Sequence, residues 1–260
     1  MTDIPRVNIL GIPIWAHSMS SLLAHLEELI ASPGCAVAYA VNAYALNLTY
    51  RYPDYLQALH RADLVYADGA SILLAARVLS HHIPEKLTTT DVWPRMCTLA
   101  RQRDYRFFLL GGEEGLAERA KLKTLLQCPG LQITGTHHGY FAFEDEQILS
   151  IINAARPDIL WIGMGDPRQV LWTEKVKTRL NTGLVITCGG MFKIIAGELQ
   201  RASPHWRNWG FEWLYRLIQE PQTWRRYLLG LPAFGVRVLA QRFFGHRGER
   251  LVSLFCSRRR

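Results

Sequence analysis

Short apolar runs alternate along the chain with longer segments in which apolar residues recur every three to four positions. The apolar runs include CAVAYAVNA, ADLVYADG, YRFFLLGG, PDILWIGMG and GLVITCGG. Segments of helical period, such as SMSSLLAHLEELIAS and RQVLWTEKVKTRL, lie between them. Buried strands separated by helices are typical of a parallel sheet that is covered on both faces. The pattern predicts an α/β fold with a doubly wound, mostly parallel sheet over residues 1–197.

Several of the predicted strands end in glycine, as in VYADG, WIGMGDP and TCGGM. In open α/β sheets the ligand crevice lies at the carboxyl ends of the strands, where residues without a side chain let a ligand approach the backbone. Candidates for lining a nucleotide or sugar-nucleotide pocket are therefore Gly163, Gly165, Gly189 and Gly190. The alternative for each is a tight turn without ligand contact. No complete G-x-G-x-x-G motif or P-loop is present, so a dinucleotide or ATP fingerprint is absent.

The character of the chain changes near residue 198. Residues 201–260 contain 12 arginines, no lysine and 3 glutamates, so this segment carries all of the net charge of +8. It also contains apolar residues that alternate with arginines between positions 225 and 244. This pattern predicts a helical appendage over 198–260 that lies on an anionic membrane surface. Packing on the α/β domain or on another subunit is the alternative, and nucleic acid is a competing partner that the apolar content disfavours.

Nothing in the composition indicates a metal site or a disulfide framework. The five cysteines are scattered singly, there is no D-x-D motif, and histidines occur only in adjacent pairs at 81–82 and 137–138 or singly. Neighbouring residues project in different directions and make a weak metal signal. No apolar stretch reaches the roughly 18 residues of a membrane span. We expect a cytoplasmic protein without a metal or another cofactor.

An ordered set of motifs runs along nearly the whole chain: VNA, YADG, TTTDV, GYF, GMGDPRQ, and the longer CGGMFKIIAGELQRASPHWRNWGFEWLYRLIQEP. Together they resemble the TagA/WecG/CpsF family of bacterial glycosyltransferases. The resemblance implies a Rossmann-like fold whose C-terminal appendage reaches the inner face of the plasma membrane. It also implies an inverting, metal-independent transfer of a sugar from a UDP-sugar to a polyprenyl-diphosphate-linked saccharide.

Asp68 is the candidate general base, because it follows a buried strand and has apolar surroundings that raise the pKa of a carboxyl group. The alternative is a cap of the helix that follows. The resemblance implies the catalytic role. Asn42 is a candidate to bind the sugar or the acceptor, or else a turn residue. Asp91 is a candidate to bind a sugar hydroxyl, or else the cap of a helix starting at Val92. Gln169 is a candidate to bind the donor, or else an exposed residue in a first helical turn.

Without a metal, the diphosphate charge has to be met by arginine side chains and backbone amides. The candidates for this role are Arg201, Arg216, Arg225 and Arg226. Lys193, inside a matching motif near the pocket, is a further candidate substrate-binding residue. The alternative for each arginine is a solvated or lipid-facing charge.

The sequence departs from the family pattern at several positions. Lys193 stands where members usually carry an acid, and Lys86 and Thr89 stand where arginine and glycine are expected. These changes leave the donor open. We expect a hexose such as glucose, used in exopolysaccharide or capsule synthesis, with N-acetylmannosamine or its uronic acid as the alternative. A non-catalytic sugar-nucleotide or lipid-glycan binding protein is the alternative of another class, and association into a homo-oligomer stays open.

Overall fold

An eight-stranded sheet, layered by helices on both faces, forms the body of the protein in a computed structural model that describes residues 4–203, 206 and 212–245. The strands are β1 (Arg6–Ile9), β2 (Ile12–Trp15), β3 (Ala36–Val41), β4 (Leu64–Ala67), β5 (Arg106–Gly111), β6 (Gln132–His137), β7 (Ile159–Gly163) and β8 (Leu184–Thr187). Their spatial order is β1-β2-β4-β3-β8-β7-β5-β6. All pairs are parallel except β1 with β2. The predicted fold class, α/β with a mostly parallel sheet, is confirmed.

Eleven helices are described along the chain. They are α1 (Met19–Ala31), α2 (Ala43–Leu48), α3 (Pro53–His60), α4 (Ala70–Val78), α5 (Thr89–Arg103), α6 (Leu116–Gln127), α7 (Glu146–Ala155), α8 (Arg168–Val176), α9 (Met191–Ile195), α10 (Glu212–Gln219) and α11 (Gly230–Phe244). Short 3-10 turns and one π-helical turn join some of them. Within the described ranges, no helix is both long and apolar enough to span a membrane.

The antiparallel pair has a local cause that the apolar pattern did not reveal. The run RVNILGIPI contains two strands, not one, because the chain reverses at Leu10 and Gly11. Both residues adopt left-handed backbone angles, with φ of 52° and 85°. Two successive residues of positive φ make the tight turn that suits a two-residue hairpin.

The core consists of two apolar clusters, one on each face of the sheet. Strands β3, β4 and β8 lie side by side in the middle of the sheet, and they are buried along their whole length. The chain passes from β3 to β4 on one side and then crosses to β5 on the other half of the sheet. A reversal of this kind opens a crevice at the carboxyl ends of the central strands.

Part of the predicted appendage belongs to the core. Phe234 and Val238 of α11 are buried in the same cluster as residues of α2 and α4. The amphipathic stretch therefore has two faces, of which one packs on the α/β domain. The other face is exposed at Leu228, Leu229, Val236, Leu239, Phe243 and Phe244. Residues 246–260 of the appendage lie outside the described part of the chain, and the division into two domains stays a prediction.

Candidate active site

A cleft of about 200 Å³ lies over the carboxyl ends of β3, β4 and β8. Its floor comes from the sheet and the helices that follow it: Asn42, Ala43, Tyr44, Asp68, Gly69, Ala70, Ser71, Lys86, Thr88, Thr89, Thr90, Cys188, Met191 and Ile194. Its roof comes from the C-terminal segment: Leu199, Gln200, Arg201, Ala202, Glu212, Trp213, Tyr215, Arg216, Gln219, Arg226, Tyr227 and Leu231. Of the residues predicted from the sequence, the cleft brings together Asp68, Asn42, Arg201, Arg216 and Arg226.

Asp68 occupies the floor of the cleft directly after β4. Its Oδ1 accepts a hydrogen bond from the backbone N–H of Thr89 at 3.2 Å, and its Oδ2 accepts one from Asn42 Nδ2 at 3.4 Å. The Asp68 side chain does not cap the helix that follows, because Gly69, and not Asp68, occupies the N-cap position of α4. The local cap alternative is therefore wrong. Asp68 instead meets the first turn of a different helix, α5, which lies far along the chain.

Burial raises the pKa of Asp68 above its usual range, as its apolar surroundings predict. The hydrogen bonds from Asn42 and Thr89 and the charge of Arg226 act in the opposite direction, while the charge of Glu212 adds to the increase. Each carboxylate oxygen accepts only one of these hydrogen bonds and retains a further acceptor site. A carboxylate of raised pKa that stays reachable from a cleft is suited to take a proton from a substrate.

Asn42 lines the cleft and also caps the helix that follows β3. Its Oδ1 caps α2 by accepting the backbone N–H groups of Tyr44 at 3.1 Å and Ala45 at 3.2 Å. This fixes the amide so that its Nδ2 donates to Asp68. Asn42 is therefore a positioning residue for the carboxylate.

Arg226 reaches the floor of the cleft from the π-helical turn at Arg225–Leu229. Its guanidinium lies 4.5 Å from the ring centre of Tyr44, and its Nη2 lies 3.5 Å from Asn42 Oδ1. Its Nε is buried without a hydrogen-bond partner among the described residues. Buried donors of this kind are costly unless a ligand satisfies them. Its neighbour Arg225 is exposed, lies over the ring of Trp224 at 5.3 Å and is not among the residues that line the cleft. Its contact with the diphosphate stays a prediction.

Arg201 forms a second cationic wall of the cleft. Its Nη2 donates to Asp91 Oδ1 at 2.6 Å and to Thr88 Oγ1 at 3.1 Å. Its Nε lies 3.9 Å from Glu212 Oε1. Asp91 thus holds an arginine and does not line the cleft itself. The helix that Asp91 was predicted to cap begins three residues earlier, at Thr89, with Thr88 as the cap.

Arg216 and Lys193 share one carboxylate. Arg216 Nε lies 3.2 Å from Glu220 Oε2, and Lys193 Nζ lies 3.0 Å from Glu220 Oε1. Burial alone would raise the pKa of Glu220, but the two cations outweigh burial and hold it below its usual range. Lys193 is therefore ion-paired with Glu220 beside the cleft and does not line it, whereas Arg216 also lines the cleft.

Gln169 is buried and braces two loops, so it is neither a cleft-lining residue nor an exposed one. Its Nε2 donates to Asp166 Oδ1 at 3.1 Å, and its Oε1 accepts the backbone N–H of Gly189 at 3.2 Å. Burial also raises the pKa of Asp166, to about 6. The bond to Gly189 links the loop after β7 to the loop after β8.

The four candidate glycines also lie outside the cleft lining, for steric reasons that differ between them. A side chain on Gly163 would come within 2.9 Å of Gly189 O and of the Phe192 ring, so Gly163 permits close packing of two loops. Gly165 and Gly189 adopt positive φ of 74° and 52°, which suits glycine in a turn. Gly190 leaves room for the Arg216 guanidinium.

Two features of the cleft were missed from the sequence. Glu212 places a carboxylate on the roof, near Arg201, and Tyr44 supplies the aromatic face under Arg226. Glu212 stands inside the quoted motif, but a glutamate near a helix start is usually a favourable first-turn charge. Within the described residues there is no group of three or more histidine, cysteine or acidic side chains able to hold a metal ion.

The model of the glycosyl transferase WecG/TagA/CpsF family matches residues 7–248 of the chain. Among curated proteins, similar sequences come from Staphylococcus aureus strains MW2 and NCTC 8325. Each is named N-acetylglucosaminyldiphosphoundecaprenol N-acetyl-beta-D-mannosaminyltransferase. Each is 24% identical over 237 residues, which covers 90% of this chain and 92% of the relative.

Proposed function

The chain belongs to the WecG/TagA/CpsF family of glycosyl transferases, and we propose that it moves an N-acetylmannosaminyl group from a UDP-sugar to N-acetylglucosamine on a polyprenyl diphosphate. The names of the relatives support this transferred sugar and this acceptor. They favour the N-acetylmannosamine alternative over the glucose-type hexose that the motif departures suggested. A purely binding protein is set aside, because the family and its curated relatives are transferases.

The observation that carries the proposal is a reachable carboxylate of raised pKa beneath three arginines. In the proposed reaction Asp68 takes the proton from the acceptor hydroxyl, and the resulting oxygen forms a bond to the anomeric carbon of the donor. The bond between that carbon and the diphosphate oxygen breaks, and UDP leaves with the electron pair. Attack from the face opposite the leaving group inverts the configuration.

The leaving diphosphate needs positive charge in place of a metal. Arg201, Arg216 and Arg226 all line the cleft from the side of the C-terminal segment. Guanidinium groups bind phosphate oxygens through paired donors. Preorganised donors of this kind stabilise charge that develops in the transition state. The proposal therefore assigns proton transfer to the sheet and charge stabilisation to the C-terminal segment, and it needs no cofactor.

The acceptor brings the protein to the membrane in this proposal. Exposed apolar side chains at Leu228, Leu229, Phe243 and Phe244 belong to the same segment, residues 201–260, that carries the 12 arginines. Apolar area together with basic charge binds anionic membrane surfaces. We therefore propose peripheral association with the inner face of the plasma membrane.

The test is UDP release from a panel of UDP-sugars, including UDP-N-acetylmannosamine and UDP-glucose, with polyprenyl-diphosphate-linked N-acetylglucosamine. Asp68→Asn keeps the shape but not the base, and we expect turnover to fall by roughly 100-fold or more. Asp104→Asn is the matched control, because Asp104 adopts a left-handed conformation at the end of α5 that asparagine tolerates. Full activity of Asp68→Asn contradicts the mechanism, and turnover with UDP-glucose alone contradicts the donor.

A further inference from the structure

A second and larger cavity lies beside the cleft, between α4 and α11. It encloses about 860 Å³, within the range of small-molecule sites of roughly 300–1,000 Å³. Its walls are mainly aliphatic and aromatic, and its only charged lining residues among those described are Arg77 and Lys86. We call this cavity the α4/α11 groove.

The α4/α11 groove is continuous with the cleft. Five residues line both: Ala70, Ser71, Lys86, Trp213 and Leu231. A single molecule is therefore able to occupy the polar cleft with one end and the apolar groove with the other. The two cavities differ in chemistry, because carboxylates and arginines line the first, whereas the second carries no acidic residue in its described lining.

The α4/α11 groove has a buried base and an exposed rim. Phe234 and Val238 of α11 form its buried base, where they pack into the core. At its rim, Leu74 of α4 is 62% exposed and Leu239 of α11 is 48% exposed. Exposed apolar surface that lines a concavity is typical of a binding groove.

We propose that the α4/α11 groove binds the first isoprene units of the polyprenyl chain of the acceptor, while its diphosphate lies at the junction with the cleft. This inference rests on the proposed function, which supplies an acceptor with a polar head, a diphosphate and a hydrocarbon chain. Lys86 lines both cavities and provides positive charge at the junction, where the diphosphate lies in this proposal. The continuity with the cleft favours this occupant over a second copy of the chain, which would cover the rim without entering the cleft.

The experiment compares two probes that share a diphosphate and differ in the hydrocarbon chain: isopentenyl diphosphate with one isoprene unit and farnesyl diphosphate with three. Binding to the full-length protein is measured by calorimetry without membranes, detergent or donor sugar. We expect farnesyl diphosphate to bind at least about 10-fold more tightly, because each buried methylene adds to affinity. Equal affinity for the two probes would overturn the inference.

Substitutions at the rim locate the effect. Leu74→Gln and Leu239→Gln change exposed residues, and we expect each to reduce the farnesyl advantage to about 3-fold or less by removing apolar contact. Val236→Gln is the matched control, because Val236 is 60% exposed on the same helix and does not line the groove. An advantage that survives both rim substitutions, or that Val236→Gln removes equally, would overturn the inference.

Two further measurements separate the possible failures. If sedimentation shows a dimer that Leu74→Gln and Leu239→Gln dissociate, and the farnesyl advantage is absent, the groove is an interface between copies and the inference is wrong. Sugar transfer is assayed separately. A farnesyl advantage without transfer from any UDP-sugar refutes the proposed reaction but not the groove, whereas transfer without the advantage refutes the groove alone.

Discussion

The buried pair His17 and His25 leads us to expect a loss of stability as the pH falls from 6.5 to 4. His17 follows β2, and its Nε2 lies 3.1 Å from His25 Nδ1. Its Nδ1 lies 3.0 Å from Ser21 Oγ, within the first turn of α1. Burial, reinforced by the charge that His25 acquires on protonation, lowers the pKa of His17 to about 4. Between pH 6.5 and about 4, the folded protein therefore keeps His17 neutral, whereas the unfolded chain protonates it.

The sign and size of this effect follow from the two pKa values. The unfolded chain protonates His17 near pH 6.5, and the folded protein does so only near pH 4. The free energy of unfolding thus carries its full contribution from His17 above pH 6.5 and loses it progressively down to pH 4. Each pKa unit corresponds to about 1.4 kcal/mol, which sets a ceiling of about 3.4 kcal/mol. Screening by nearby solvent reduces this to about 2–3 kcal/mol.

The assay is urea unfolding at several pH values between 7 and 4, for the wild type and for His17→Gln. The quantity to compare is the difference between them, because Asp166 acts in the opposite direction. Burial raises the pKa of Asp166 to about 6, so its protonation favours the folded state as the pH falls. Both proteins contain Asp166, and its effect cancels in the comparison. The exposed histidine variant His82→Gln should behave like the wild type.

Equal loss of stability in the wild type and in His17→Gln over this pH range would refute the reasoning. So would a difference that develops above pH 6.5, where the His17 contribution is constant. The partner gives an internal check, because a charged His25 lowers the pKa of His17. His25→Gln should therefore shift the remaining His17 transition toward higher pH.

Two further predictions concern the candidate site. The charge of Arg226 lowers the pKa of Asp68, and the charge of Glu212 raises it. Arg226→Gln should therefore move the acidic limb of the pH profile of kcat/KM to higher pH, and Glu212→Gln should move it to lower pH. Shifts of both variants in the same direction would contradict Asp68 as the base. Gly190→Ala should raise KM for the UDP-sugar by about 10-fold because the new methyl group displaces the Arg216 guanidinium, while φ of −87° suits alanine and preserves the melting temperature; an unchanged KM would argue that Arg216 does not bind the donor.

Local patterns were sufficient for the frame of the fold and for the position of Asp68. The central strands are continuous apolar runs, and helices of clear period separate them, so their order of appearance follows from the sequence. The carboxyl ends of parallel strands meet at one edge of a sheet. A polar residue after such a strand is therefore placed near the crevice by the architecture itself, and Asp68 and Asn42 both follow strands of this kind.

The surroundings of the other candidate residues depend on partners that are distant in the sequence, so local patterns did not predict them. Gln169 lies in the first turn of the helix after β7, but its side-chain amide is hydrogen-bonded to the buried Asp166 and to the backbone N–H of Gly189. Arg225 and Arg226 are identical in chemistry and adjacent in sequence, yet only Arg226 faces the cleft. Adjacent residues of one helical turn project in different directions, and the way this π-helical turn packs puts Arg226 beside Tyr44 and Asn42. Such a turn has no periodic signature in the sequence.

The C-terminal segment has to be tested by point substitution, because it supplies the site and the core together. Truncation after Gln200 would remove Arg201, Arg216 and Arg226 from the cleft and would also uncover the apolar surface that Phe234 and Val238 cover. Loss of activity in such a truncation would follow from any of these changes. It would not show that the segment binds a membrane.

Exposed residues of the segment separate these roles. Phe243→Gln and Leu228→Gln change side chains that are 74% and 53% exposed and that line neither cavity. If the segment holds the enzyme on anionic vesicles, both substitutions should weaken vesicle binding, since each removes apolar area from the interface. The free energy of unfolding should stay close to the wild-type value, because neither side chain belongs to the core. Unchanged vesicle binding in a variant that combines Phe243→Gln and Leu228→Gln would place the membrane contact elsewhere on the protein.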